Sequence, residues 1–235
     1  MKLTGKDFCD FLLKKHNLKE GADYKILQPQ KRIFGRNDSR VRYEIGGTSD
    51  VLLSGESYNK GEIENLLTAS HEVGHFINNR ADEKRYKRLM VKQSLFITTI
   101  FLTVLHAIVQ AANGLIFHSS VLSKAFIDFV PVLLVLNIFV IIFAYLFAKE
   151  YNKDENMAES KSKELVDKYL KSAFIQYGDS RNTKNLASKI EKEYTERATS
   201  IIFFTRVRIG FGILLFLFNL SVISGSIFKY THKIL

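Results

Sequence analysis

The 235-residue chain has one cysteine, no tryptophan and two prolines. A lone thiol, Cys9, excludes an intramolecular disulfide and any zinc site built from cysteines, and reads as a small buried or half-exposed residue. The opening Met1-Lys2-Leu3-Thr4-Gly5-Lys6-Asp7 lacks an apolar stretch. No signal peptide is therefore expected, and the N-terminal part should stay on the side where it is made. Charge is missing from long stretches too. Residues 93–117 carry none over about 25 positions, and residues 129–148 and 209–228 none over about 20 each, lengths that suit a hydrocarbon core.

What is present is split into blocks. Hydrophobic residues make up 46% of the chain while 25% are charged, and the formal net charge is +10. Such a charge fits nucleic acid or an anionic membrane surface. The basic residues crowd the ends of the apolar blocks, so a lipid bilayer is the expected partner and nucleic acid is not. Arg80, Lys84, Arg85, Lys87, Arg88 and Lys92 precede the first block, and Arg206 and Arg208 the third. The connector between the first two blocks is nearly uncharged. By the positive-inside rule, residues 1–92 and 149–208 face the cytoplasm together, and the C-terminal Lys229 and Lys233 lie outside. Four segments result: a cytoplasmic domain at 1–92, a transmembrane hairpin at 93–148, a cytoplasmic helical segment at 149–208, and a last span with its tail at 209–235. Within the first span, His106, Gln110 and Asn113 share one helical face, which suits packing against other spans.

Residues 1–20 read as an amphipathic helix through Leu3, Phe8, Phe11, Leu12 and Leu18, closed by Gly21. Short strands are expected at Lys25-Ile26-Leu27, Arg32-Ile33-Phe34, Arg40 to Ile45 and Asp50 to Ser54. Asn59-Lys60-Gly61-Glu62 has capping-box spacing, which predicts a helix from near Lys60. That helix contains His71-Glu72-Val73-Gly74-His75. Spacing of i and i+4 puts His71 and His75 one turn apart on one face, so both imidazoles reach a single Zn2+. Glu72 is rotated by roughly 100° from His71, placed to hold a water beside the ion without ligating it. Gly74, costing about 1 kcal/mol in a helix interior, implies that something approaches the backbone there.

A catalytic zinc needs a third protein ligand. A third histidine six residues on is absent, since position 81 is Ala81, and His16, His106, His118 and His232 are poorly placed. Beyond the second apolar block lies Asp154-Glu155-Asn156-Met157-Ala158-Glu159, which the topology returns to the metal helix. Glu155 is the expected ligand and Glu159 the carboxylate that steadies a ligand imidazole. The alternative is two solvated charges on a polar helix. A straight helix from His75 to residue 93 would lift the site about 27 Å above the membrane, against about 10 Å for Glu155 beyond Ala148. The metal helix should therefore end near Asn78-Asn79.

This arrangement of HExxH, two spans and Glu-x-x-Ala resembles the integral-membrane zinc metallopeptidases. Leu53-Ser54, Tyr58 and Ala69 to His75 are similar to the bacterial neutral zinc metallopeptidase family, which continues Glu-x-x-Ala-Ser. The heat-shock-type and CAAX-prenyl membrane proteases show Glu-x-x-Ala-Asp. Here the last position is Glu159, and the N-terminal spans usual in both branches are missing. The resemblance covers residues 50–160. It implies a gluzincin-type site with His71, His75 and Glu155 on zinc and Glu72 as general base. The expected fold is α+β, predominantly helical, with about three transmembrane helices and a small N-terminal sheet. The expected activity is a membrane-bound zinc metalloendopeptidase acting on protein or peptide substrates. In proteases of this motif the strand before the metal helix offers its edge to an extended substrate, a role open to Val51 to Ser54 alongside that of an ordinary sheet strand. A membrane-anchored zinc-binding or interaction protein without turnover is the alternative reading.

Overall fold

The structure, a computed structural model, describes residues 2–28, 39–112 and 130–234. The chain divides into two compact units, one of residues 1–86 and 153–201, the other of residues 87–152 and 202–235.

In the first unit, α1 (Gly5–Lys15) starts with a reciprocal cap. Thr4 Oγ1 accepts from the Asp7 N–H at 3.2 Å, and the Asp7 carboxylate accepts from the Thr4 N–H at 3.3 Å. Leu3, Phe8, Phe11, Leu12 and Leu18 are buried. The helix is shorter than its apolar pattern suggests. It stops at Lys15 because Asn17, at φ 58°, takes the left-handed conformation that ends helices. Gly21 lies instead in the turn before β1.

The sheet has three strands, β1 (Tyr24–Leu27), β2 (Arg40–Arg42) and β3 (Ser49–Leu52), in the order β1-β3-β2. β3 pairs in parallel with β1, placing Ile26 opposite Val51, and antiparallel with β2, placing Val41 opposite Val51. Of the two roles open to Val51 to Ser54, the ordinary sheet strand fits: β3 is central among the described strands and paired on both sides at Val51 and Leu52, so these residues offer no free edge for strand addition. The expected strand at Arg32-Ile33-Phe34 lies outside the described residues.

Ser54 then caps α2 (Gly55–Asn59), its hydroxyl accepting from the Ser57 N–H at 3.2 Å. The metal helix, α3 (Ile63–Ala81), therefore starts later than the capping-box spacing implies. Asn59 is the last residue of α2, and Lys60 is extended, its carbonyl accepting from the Gly5 N–H at 3.0 Å. One face of α3 is buried through Leu66, Leu67, Ala69, Val73 and Phe76. That face meets α1 together with Leu165, Val166, Leu170, Ala173 and Phe174 of a later helix.

α3 ends at Asp82, with φ −136° and ψ 74°, and α4 (Glu83–Ala112) follows directly. Asp82 Oδ1 accepts from the Arg85 N–H at 2.9 Å, so one side chain caps the second helix where the first stops. The break comes three residues beyond the expected Asn78-Asn79. α5 (Val130–Gln176) and α6 (Thr183–Ile234) complete the chain.

The second unit is built from the apolar parts of α4, α5 and α6. Leu89, Phe96, Ala144 and Phe147 are buried against one another. A Cβ on Gly212 would meet the Ala144 Cβ at 2.6 Å, so glycine lets α6 approach α5. Asn219 donates to Asn137 Oδ1 at 3.0 Å and Asn137 to the Phe216 carbonyl at 3.3 Å. Many large apolar side chains face outward, among them Phe101, Ile108, Phe139, Phe211, Leu214 and Phe218. Among the described residues, three helices are long and apolar enough to cross a membrane. The molecule is predominantly helical with one small sheet, compatible with a membrane protein. Of the expected polar face in the first span, Asn113 lies outside the described residues.

Candidate metal centre

α3 and α5 carry the whole group. The Nε2 atoms of His71 and His75 approach the same carboxylate oxygen, Glu155 Oε2, at 3.2 Å and 3.5 Å. The two rings stand 4.8 Å apart between centroids, close to perpendicular at 86°. One potential ligand atom from each of His71, His75 and Glu155 lies within 4.8 Å of the other two. Among the described residues this is the one cluster of histidine, cysteine and carboxylate groups with the spacing of a metal site.

Each imidazole is held from behind. His71 Nδ1 lies 2.7 Å from Glu159 Oε2, and His75 Nδ1 lies 3.0 Å from Asp154 Oδ2. A carboxylate on Nδ1 fixes the proton there and leaves the Nε2 lone pair for an ion. Asp154 is itself fixed. Arg85 Nη1 donates to Asp154 Oδ1, and Arg85 Nη2 donates to Asn79 Oδ1 at 3.1 Å. Asp154, Arg85 and Asn79 are all buried. The sequence reading passed over Asp154 and counted Arg85 with the basic run beside the first span. The available signal was the i−1 position of Asp154 before Glu155, which turns it to the second histidine of the pair.

Gly74 allows the two helices to meet. A Cβ at this position would stand 2.5 Å from the Ala158 carbonyl oxygen, so α5 crosses α3 backbone to backbone between the two histidines. Behind the crossing, Ser70 Oγ and Ser162 Oγ are 2.6 Å apart and Ser162 Oγ lies 3.2 Å from the Tyr194 hydroxyl. These buried contacts tie α3, α5 and α6 together.

The electrostatics favour a cation. Four carboxylates (Glu72, Asp154, Glu155 and Glu159) gather around two histidines and one arginine. Burial opposes charging of His75, but hydrogen bonds to Asp154 and Glu155 outweigh it and raise its pKa to about 10. Burial likewise opposes charging of His71, and Glu155 and Glu159 reverse the balance upward. Without an ion, protons must do the work of a cation here. Glu159 Oε1 is buried with no hydrogen-bond partner among the described residues. Two imidazole nitrogens and a carboxylate are a donor set that suits zinc, with a position left for water. Glu72 is buried beside the group, and burial pushes its pKa up. Among the described residues no side-chain hydrogen bond to its carboxylate contributes to that shift.

No protein-family model, curated protein or solved structure matches this chain.

Proposed function

We propose that this chain is a membrane-bound zinc-dependent metalloendopeptidase that cleaves protein substrates at or near the membrane, its site facing the cytoplasm. The observation that carries the reading is the convergence of two carboxylate-anchored imidazoles on one oxygen of Glu155, with the carboxylate of Glu72 buried alongside. His71, His75 and Glu155 would hold the metal. The chemistry a bound zinc supplies is polarisation of the scissile carbonyl and acidification of water to a pKa of about 7.

The protein's own groups do the rest. Glu159 and Asp154 would keep both Nδ1 protons in place when zinc is bound, so that the Nε2 lone pairs face the ion. Glu72, held in a poorly solvated position that favours its neutral form, accepts a proton from the attacking water and delivers it to the leaving amine. That a buried carboxylate takes up protons readily suits both halves of this transfer. Nearness to the membrane rests on the chain itself, since α5 carries the apolar stretch and, seven residues after Ala148, Glu155.

The test is a purified, zinc-loaded protein against an unfolded protein substrate and a membrane protein substrate. Cleavage should be blocked by chelator, and Glu72→Gln should remove it while zinc content stays at one per chain. Activity retained in Glu72→Gln would overturn the role of this residue. Zinc binding with no cleavage of either substrate would favour a membrane-anchored zinc-binding protein without turnover.

A further inference from the structure

Arg197, on α6, is a cation with no acidic partner among the described residues. Its Nη2 donates to Thr68 Oγ1 at 2.6 Å and to the Glu64 carbonyl at 3.1 Å. Both acceptors are uncharged, so no carboxylate among its hydrogen-bond partners offsets the guanidinium. Nε and Nη1 have no hydrogen-bond partner among the described residues and remain for a ligand. Arg197 and Thr68 are half-buried, neither sunk in the core nor free in solvent.

The anchor points decide where this charge stands. Glu64, Thr68 and Glu72 are spaced i, i+4, i+8 along α3 and so form one stripe. Arg197 grips the first two, and Thr68 lies about 6 Å along the helix axis from Glu72. The Arg197 charge is one of those acting on the Glu72 carboxylate. His71 and His75 turn their Nε2 atoms to Glu155. Thr68, His71, Glu72 and His75, spaced i, i+3, i+4 and i+7, thus share one face of α3, with Arg197 anchored at its N-terminal end.

Under the peptidase reading, on which this step rests, Glu72 gives its proton to the leaving amine. The residue that carries this amine must then lie against Glu72, and Thr68 with Arg197 are the next groups along that face of α3. We propose that Arg197 selects substrates with an acidic side chain, Asp or Glu, on the residue whose amine is released. An Asp or Glu side chain spans the one-turn gap, and a carboxylate matches the two-pronged guanidinium. The anchor to Thr68 and Glu64 orients the fork before substrate arrives, so little side-chain entropy remains to be lost on binding.

The experiment uses the full-length protein in detergent with zinc bound and the Glu72→Gln substitution, so that peptides bind without being cut. Labelled peptides that differ only in having Glu, Gln or Lys at the leaving-side position are titrated by fluorescence anisotropy. The Glu peptide should bind about tenfold more tightly than the Gln peptide. In Glu72→Gln/Arg197→Gln the two should bind alike, and in Glu72→Gln/Arg197→Glu the Lys peptide should bind best. Arg197→Lys, which keeps the charge, should keep the preference for Glu. Raising salt on the protein with Arg197 intact should shrink the Glu-over-Gln ratio, a reading that needs no further substitution. Equal binding of the Glu and Gln peptides, or a preference that survives loss of Arg197 or is indifferent to salt, would overturn the assignment. Because binding is read separately from cleavage, a protein with Glu72 intact that binds acidic peptides but never cuts them would sink the peptidase reading alone.

Discussion

A histidine can offer a metal one nitrogen only while something else holds the proton on the other. Here Glu159 holds His71 and Asp154 holds His75, each from the Nδ1 side. Glu159→Gln or Asp154→Asn should therefore weaken zinc binding about 10- to 100-fold without removing a ligand, as chelator competition would read out. Asp154→Asn should cost more, since it also leaves the buried Arg85 guanidinium without its anion. The same groups set a pH dependence for the metal-free protein. His75 is raised to about 10 and His71 is raised as well, against an ordinary value of about 6.5. A raised histidine adds stability that is complete below its unfolded pKa and lost as pH climbs through its folded one. The melting temperature of the chelated protein should accordingly fall between about pH 6.5 and 10. Zinc requires the neutral imidazoles, so the metal-loaded protein should lack that decline, and the stabilisation by zinc should grow as pH rises. A chelated protein whose stability is flat over this range would contradict the ion pairs at the site. At this scale the histidine spacing was legible because i, i+4 is a property of any helix. Asp154 and Arg85 were not, because their value comes from a partner 69 residues away that only the fold supplies.

A helix that carries ligands is useful only if the neighbouring helix can come close enough to finish the set. Gly74 makes this possible, with the Ala158 carbonyl where a Cβ would stand. Gly74→Ala should force α3 and α5 apart at the crossing. The expected loss is about 1–3 kcal/mol of stability, typical of an overpacked contact. Zinc affinity should fall with it, because Glu155 sits three residues before Ala158 on α5. Unfolding in denaturant and zinc competition on the same sample would check both. A substitution that stabilises, as Gly to Ala does in an open helix, would show that the crossing is looser than described. The cost of glycine inside a helix was readable from the sequence, and so was the need for a close neighbour. Element ends were read less well. Asn59 to Glu62 has a capping pattern, yet Ser54 caps a separate short helix first and leaves Lys60 extended to serve α1. The place of β3 in the middle of the sheet was equally hidden, since strand order is a long-range property that alternation along one strand cannot encode.

For the molecule as a whole, the question is how a polar, highly charged unit and an apolar one share a chain that crosses between them repeatedly. Three long apolar helices divide the sequence, and the first unit takes residues from both before and after the first two apolar blocks. Residues 1–86 and 153–201 must therefore lie on one side of a bilayer if the blocks between them cross it, because two crossings return the chain to where it began. This parity follows from connectivity alone. The proposed side follows from charge, since Lys84, Arg85, Lys87, Arg88 and Lys92 before the first block and Lys149, Lys153, Arg206 and Arg208 around the others would favour the cytoplasm. Under the proposed orientation, a third crossing would put the C-terminal end outside, where Lys229 and Lys233 weigh against it. The two tendencies conflict only at that last step, and the greater number of charges at the short inner flanks should win. A periplasmically active reporter enzyme joined after residue 122 or after residue 235 should therefore be active, while one joined after residue 180 should be silent. A fluorescent reporter that folds only in the cytoplasm should give the inverse pattern. If fusions at 122 and 180 report the same side, the first two blocks do not form a hairpin. Residues 71–75 and 154–159 would then be separated by the bilayer, and the candidate metal centre could not assemble. A cytoplasmic fusion at 235 with the other two as expected would revise only α6. It would mean that Lys229 and Lys233 outweigh Arg206 and Arg208, and that the third apolar block does not span.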